Sequence, residues 1–197
     1  MNSERNYSMT NRSISVAKTR ARILRAVLEL ATEKLTVEIV LADVSHRSGV
    51  TVQTILRHFG SRAGLFDAAV EFGSAEVVAE RATPVGDVTE AVRVIIDHYE
   101  TRGDWVIALL GQEGSDERIR GITMPGKQLH RDWVETVFGL RLAKQASPEH
   151  SAITDLLVVA TDVYTWKLLR RDRGLSRELT EQRMQQLVDA ILASPRE

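Results

Sequence analysis

No cysteine occurs in this chain of 197 residues, which excludes disulfides and thiolate metal sites. Its five histidines are scattered, with no paired spacing of the H-E-x-x-H kind, so no metal site is expected. Long hydrophobic runs are missing too: nothing approaches the ~18 to 20 apolar residues of a membrane-spanning helix. The polar opening stretch, residues 1–20, has no continuous apolar segment ahead of a cleavage site and does not resemble a secretory signal. A cytoplasmic chain with no membrane partner is the expectation. Catalytic signatures are equally scarce. There is no glycine-rich phosphate loop behind a strand, no nucleophile elbow and no metal-ligand spacing, and the stretch around Asp97, His98 and Glu100 reads as a solvated helix face. We therefore expect no enzyme, no catalytic residue and no cofactor.

What remains is the composition of an ordinary globular protein, 43% hydrophobic and 27% charged, long enough for one sizeable core or for a small domain beside a larger one. The net charge of -1 conceals an asymmetry. Residues 1–65 hold ten Lys/Arg against five Asp/Glu, an excess of +5, whereas the rest of the chain is at -6. A basic footprint of this kind suits a nucleic-acid partner, although a solvated basic face alone would look the same.

The basic region coincides with the most informative motif, VSHRSGVTVQTILRHFGSRAGLF from Val44 to Phe66. It has the layout of a helix-turn-helix followed directly by another capped helix. Gly49 sits where the turn needs a positive φ, and Thr51 is an N-cap whose hydroxyl can accept from a free amide of the helix starting at Val52. Ile55 and Phe59 then face inward at i, i+4 spacing, leaving Gln53, Thr54, Arg57 and His58 for a groove and its phosphates. Apolar positions Ile23, Leu24, Val27, Leu28 and Ala31 predict an amphipathic helix from Ala17 to about Lys34, and Leu41–Ser48 a second one. Ser61 caps a helix reaching about Arg81.

Further on, Thr83–Asp87 is a break with Asp87 as cap. One helix is expected around Ala91–Tyr99 and a short one over Asp104–Leu110. Between Gly111 and Gly126 a separate helical turn is expected at Asp116–Ile122, with Pro125 opening a longer helix to about Leu142. Pro148 opens the next, which is apolar on more than one face over Ile153–Val163 and stops at Gly174 behind Arg170, Arg171 and Arg173. The last begins at Arg177. No segment alternates like a strand, so the fold is expected to be all-α with about nine helices.

The runs RARILRAVLELATEK, from Arg20, and LADVSHRSGVTVQTILRHFGSRAGLFDA, from Leu41 to Ala68, resemble the DNA-binding domain of the tetracycline-repressor-like (TetR) family of bacterial transcriptional regulators. TDVYTWKLLRRDRGLS, from Thr161, resembles the penultimate helix of actinobacterial-type members. The chain departs from the family pattern in several places. Leu35 stands where members carry Gly, and a left-handed non-glycine there would cost roughly 1 to 2 kcal/mol. Ile39 and Val40 replace capping threonines worth on the order of 1 kcal/mol. Leu56 replaces an aromatic, and Ala63 and Gly64 replace acidic residues.

The resemblance implies a flexible arm at 1–14, a helix-turn-helix domain at 15–62, a linking helix at 63–81, and an effector-binding and dimerisation domain at 82–197. It implies a ligand-responsive regulator, by family habit a repressor, that binds a palindromic double-stranded DNA operator as a homodimer. Lys18, Arg20, Thr51, Val52, Gln53, Thr54, Arg57, His58 and Arg62 are the candidate DNA contacts. Of these, Gln53 and Thr54 are read as base readers, and His58 and Arg62 as phosphate ligands; His58 is alternatively a core histidine at the helix end. Tyr99, Trp105, Met124, His130, Trp133 and Phe138 either line a pocket for a small hydrophobic or aromatic effector or are simply core. Leu156, Val159, Ala160, Val163, Tyr164, Lys167, Met184, Leu187, Val188 and Ile191 are candidates for a four-helix dimer seam, whose alternative is an intramolecular core. A helical dimeric adaptor without DNA specificity remains the other reading.

Overall fold

The computed structural model describes residues 2–142 and 147–193. They are all-α, with eight helices of eight residues or more and a five-residue helix: α1 Asn2–Glu33, α2 Leu41–Ser48, α3 Val52–Phe59, α4 Arg62–Glu80, α5 Val88–Leu110, α6 Glu117–Leu142, α7 Ser147–Ala160, α8 Val163–Lys167 and α9 Arg177–Ala193. The chain divides into two compact units, Met1–Glu76 and Val77–Glu197, with the division inside α4. No helix among the described residues is long and apolar enough to cross a membrane.

The first unit is built on one apolar stripe of α1. Ile23, Leu24, Ala26, Val27 and Leu30 are buried together with Ile39, Val44, Ile55, Leu65 and Ala69, the i, i+3, i+4 repeat expected of a helix that covers a small core. Residues 2–14 belong to α1 rather than to a separate arm; polar as they are, they contain neither the glycine nor the proline that would end a helix. Leu35 needs no left-handed geometry. With φ -59° and ψ 140° it leads into a short 3-10 turn, Thr36–Glu38, so the cost foreseen for a non-glycine residue does not arise. Ile39 is wholly buried and has become part of the core. Val40 lacks a side-chain acceptor, yet its backbone N–H donates to Asp43 Oδ2 at 2.9 Å, the reciprocal half of a capping box. Lys34 Nζ donates to the same oxygen at 2.6 Å and, with that bond, holds the Asp43 carboxyl below its usual range.

The second unit packs α5 to α9 around Ile95, Phe138, Leu157, Trp166 and Met184. Here three boundaries differ from the sequence expectation. α5 is continuous through Gly103, because that glycine makes room for Trp166: a Cβ there would lie 2.5 Å from the indole ring. α6 is continuous through Pro125, whose missing donor falls opposite Gly121 one turn earlier and costs one rung of the helix. The expected long helix after Pro148 is instead interrupted at Thr161–Asp162. The Thr161 carbonyl accepts from the Tyr99 hydroxyl at 3.0 Å, and Asp162 caps α8 by accepting from Tyr164 N–H at 2.8 Å. α8 runs on into a π turn, Leu168–Asp172, before Gly174.

Asp97, His98 and Glu100 are not a solvated face. His98 is buried, with Nδ1 2.9 Å from Glu80 Oε2. Glu100 accepts from Trp166 Nε1 at 2.9 Å and from Arg170 Nε at 3.0 Å, and Asp97 pairs with Arg177. Helical period alone identifies a stripe; it does not reveal that ion pairs let a polar stripe turn inward.

Candidate nucleic-acid interface

The turn between α2 and α3 is set by backbone chemistry. Gly49 ends α2 at φ 66°, ψ 28°, its N–H donating to Ser45 O, a left-handed conformation that other residues adopt only at a cost. Ser45 Oγ donates to Val50 O at 2.6 Å, and Thr51 Oγ1 accepts from Thr54 N–H at 3.2 Å. The Thr51 and Thr54 hydroxyls also lie 3.0 Å apart. Ile55 is fully buried and Phe59 packs against the same core.

This leaves a definite outer edge on α3: Gln53, Leu56 and Arg57 are exposed, with Val52, Thr54 and His58 half-buried. Leu56, which stands where the family pattern has an aromatic, is an exposed apolar side chain on that edge. Lys18 is exposed on α1 together with Arg22, a cation the sequence reading passed over although the i, i+4 spacing was visible. Both border a groove of about 380 Å³, completed by Arg25, Arg47 and Glu29. Arg25 pairs with Glu76, and Arg47 with Glu29 and Glu33.

Two of the candidate DNA contacts, Arg62 and Arg20, bond to backbone within the first unit. Arg62 donates from Nε to Ile39 O at 3.0 Å and from Nη2 to Thr36 O at 2.8 Å, with its guanidinium 4.5 Å from the Phe66 ring centroid. It clasps the α1–α2 connection to the start of α4. Arg20 donates to the His58 carbonyl at 3.3 Å and lies 4.4 Å over the Phe59 ring, which ties α1 to the end of α3. A guanidinium placed at i, i+4 from nothing in its own helix gives no sequence sign of such a clasp.

In the second unit, the aromatic candidates separate. Tyr99, His130 and Phe138 are buried. His130 stacks on Trp133 at 5.8 Å and Trp133 meets Phe138 edge-on at 6.2 Å, while Trp133 Nε1 donates to Arg81 O at 2.9 Å. Trp105 is half-buried on α5, and Met124 is exposed on α6, away from a core role. Burial pushes the Tyr99 phenol up. It pushes His130 down to about 4 and His98 down to about 3, the Arg81 charge adding to both.

Of the seam candidates, Ala160, Val163, Met184 and Val188 are buried within their own unit and have no free surface to offer a second copy. Ile191 packs beside them, and Lys167 pairs with Asp172 at 2.8 Å. Leu156, Val159, Tyr164 and Leu187 are exposed, as are Leu168 and Leu179. The sequence showed an apolar helix but not which of its stripes met its own core.

The chain thus consists of a three-helix head built on a glycine turn and a larger helical unit after it in sequence. Among solved structures it aligns with a transcriptional regulator from Rhodococcus sp. Rha1 at TM-score 0.64 and 18% identity, over 88% of this chain and 95% of that one. It aligns with a TetR-family regulator from Streptomyces coelicolor at TM-score 0.64 and 16% identity, over 90% and 89%. A TetR regulator from Rhodococcus sp. RHA1 aligns at TM-score 0.52 and 19% identity, over 90% and 97%. The chain has the TetR-family fold. No protein-family model matches the sequence, and no curated protein matches it significantly.

Proposed function

We propose that this chain is a TetR-type transcriptional regulator that binds a two-fold symmetric DNA operator as a homodimer and responds to a small effector held in its second unit. The observation that carries the reading is the exposed edge of α3: Gln53 and Arg57 stand outward beside the capped Thr51–Thr54 pair, on a helix locked from behind by Ile55. Gln suits the adenine edge and Arg the guanine edge or a phosphate, while Leu56 offers an apolar contact of the kind a thymine methyl takes. Lys18 and Arg22 supply charge for the backbone, and Arg62 and Arg20 act as clasps that hold the head in shape. One such head reads too few base pairs to be selective, which favours two copies with heads one helical turn apart. Leu156, Val159, Tyr164 and Leu187 are the apolar side chains that the second copy would cover. A ligand shifts such a dimer between states only by binding one better than the other, and α4 is the element to which we assign that coupling.

The test is retardation of DNA containing the gene's own promoter, against a non-cognate fragment, at rising salt. Preferential retention of the promoter, weakening steeply with salt, is the expected result. Equally weak retention of both fragments would overturn the reading in favour of a dimeric adaptor.

A further inference from the structure

Arg81 follows the last residue of α4 and is 8% exposed, yet its Nε and Nη1 meet no hydrogen-bond acceptor among the described residues. Four groups of the second unit lie around its charge, and none of them accepts a hydrogen bond from Nε or Nη1. Glu80 is engaged by Arg102, from Nη2 at 2.5 Å and Nε at 2.8 Å, and by His98. Asp162 is turned to capping α8, accepting from Tyr164 N–H, and burial raises its pKa. Tyr99 presents only its ring, 5.7 Å from the guanidinium carbon, because its hydroxyl donates to Thr161. His130 is neutral, its Nε2 sits 3.3 Å from Val158 O, and its Nδ1 is likewise buried without a partner among the described residues.

A buried guanidinium with two nitrogens that meet no acceptor is costly to a fold unless something else supplies the anion. Aromatic rings lie beside it: Tyr99 faces the guanidinium, and Trp133, which donates to the Arg81 carbonyl, meets Phe138 edge-on. We infer that the second unit holds a carboxylate-binding site, in which Arg81 pairs with the carboxylate of a small apolar or aromatic acid whose body lies against Tyr99 and Trp133. His130 Nδ1 is placed to accept from a hydroxyl or N–H on such a ligand. This rests on the reading of the second unit as effector-binding and specifies the chemistry of that effector: a monoanionic organic acid. Arg81 directly follows the last residue of α4, so pairing it loads the end of the element to which the coupling is assigned.

The experiment titrates the full-length protein with 3-phenylpropionate and with its neutral isostere 3-phenylpropionamide. All three tryptophans, Trp105, Trp133 and Trp166, lie in the second unit, so intrinsic fluorescence reports binding. The acid should bind at least tenfold more tightly than the amide, and Arg81→Gln should abolish that preference. Equal affinity for the two probes, or an acid affinity unchanged in Arg81→Gln, would overturn the carboxylate site while leaving an effector pocket standing. A second arm needs no ligand. Arg81→Met removes an unpaired buried charge, so the melting temperature of the free protein should rise by about 2 to 4 °C. Should neither probe bind, this arm decides: a rise sustains an unfilled anion site, and a fall means Arg81 has a structural partner, which overturns the site and removes the support it lends to the effector reading.

Discussion

The two units bury different chemistry. In the first, the core is apolar and Ser48 is the only polar residue among its described buried side chains, donating to Val44 O within its own helix. In the second, Arg81, His98, Thr123, His130, Thr154, Thr161 and Thr180 are all buried. A unit that must present one fixed outer edge gains from a plain hydrophobic core, because well-packed apolar side chains in settled rotamers hold that edge still. In the second unit the four threonines and His98 are hydrogen-bonded, and the unmet desolvation cost falls on Arg81 and His130.

That contrast is broken most forcefully at the centre of the first core. Ile55→Ala should cost about 2 to 5 kcal/mol and loosen α3, measured by denaturant unfolding. A loss under about 1 kcal/mol would mean that α3 is not held by that core.

The second unit should differ in its response to acid. His98 and His130 have folded pKa values depressed to about 3 and about 4 from an ordinary 6.5, chiefly by burial. Both are neutral in the fold and protonate more readily when unfolded, so their stabilisation is complete above pH 6.5 and declines as pH falls toward 4. Each contributes up to about 1.4 kcal/mol per pH unit in that window. Melting followed from pH 7 to pH 4 should show this decline, and His130→Asn should make it shallower. An unchanged slope would mean that His130 is not buried in its neutral form.

Within the first unit, clasps and contacts separate. Arg62→Ala gives up two charge-assisted hydrogen bonds to backbone carbonyls and should cost about 1.5 kcal/mol, the low end for such bonds because the side chain is half exposed. Arg57→Ala, on an exposed edge, should leave stability within about 0.5 kcal/mol while lowering DNA affinity and reducing the salt slope by about one ion. Parallel unfolding and retardation measurements distinguish them; equal stability loss in both would erase the distinction between clasp and contact. Among substitutions that remove a folding contact, the smallest loss is expected at the cap, where Thr51→Ala should cost about 1 kcal/mol, again by denaturant unfolding.

Legibility in the sequence also differed between the units. α2 and the start of α3 follow from Gly49, Thr51 and the Val44–Ile55 spacing, all local signals, and the structure has those elements where the sequence expects them. The ends of α5, α6 and α7 were misread because Gly103, Pro125 and Thr161 look like ordinary punctuation or ordinary helix. Their roles depend on partners far along the chain: Trp166 for Gly103 and Tyr99 for Thr161. The same holds for the candidate site. The exposed edge of α3 was readable from period alone, whereas the clasps of Arg20 and Arg62 and the isolation of Arg81 exist only in three dimensions. At Leu35, Ile39, Val40 and Leu56 the chain abandons the family's usual residues, yet each is accommodated locally: by an extended Leu35, a core-filling Ile39, a backbone-only cap at Val40 and an exposed Leu56.

The central claim is that α3 reads base pairs in two symmetric copies. Selection of bound sequences from a random double-stranded pool, by the full-length protein and by Gln53→Ala, tests it most directly. The account predicts a palindrome with half-site centres ~34 to 36 Å apart and a changed preference at one or two pairs per half-site in the variant. Enrichment of no sequence, or an identical preference from both proteins, would contradict it.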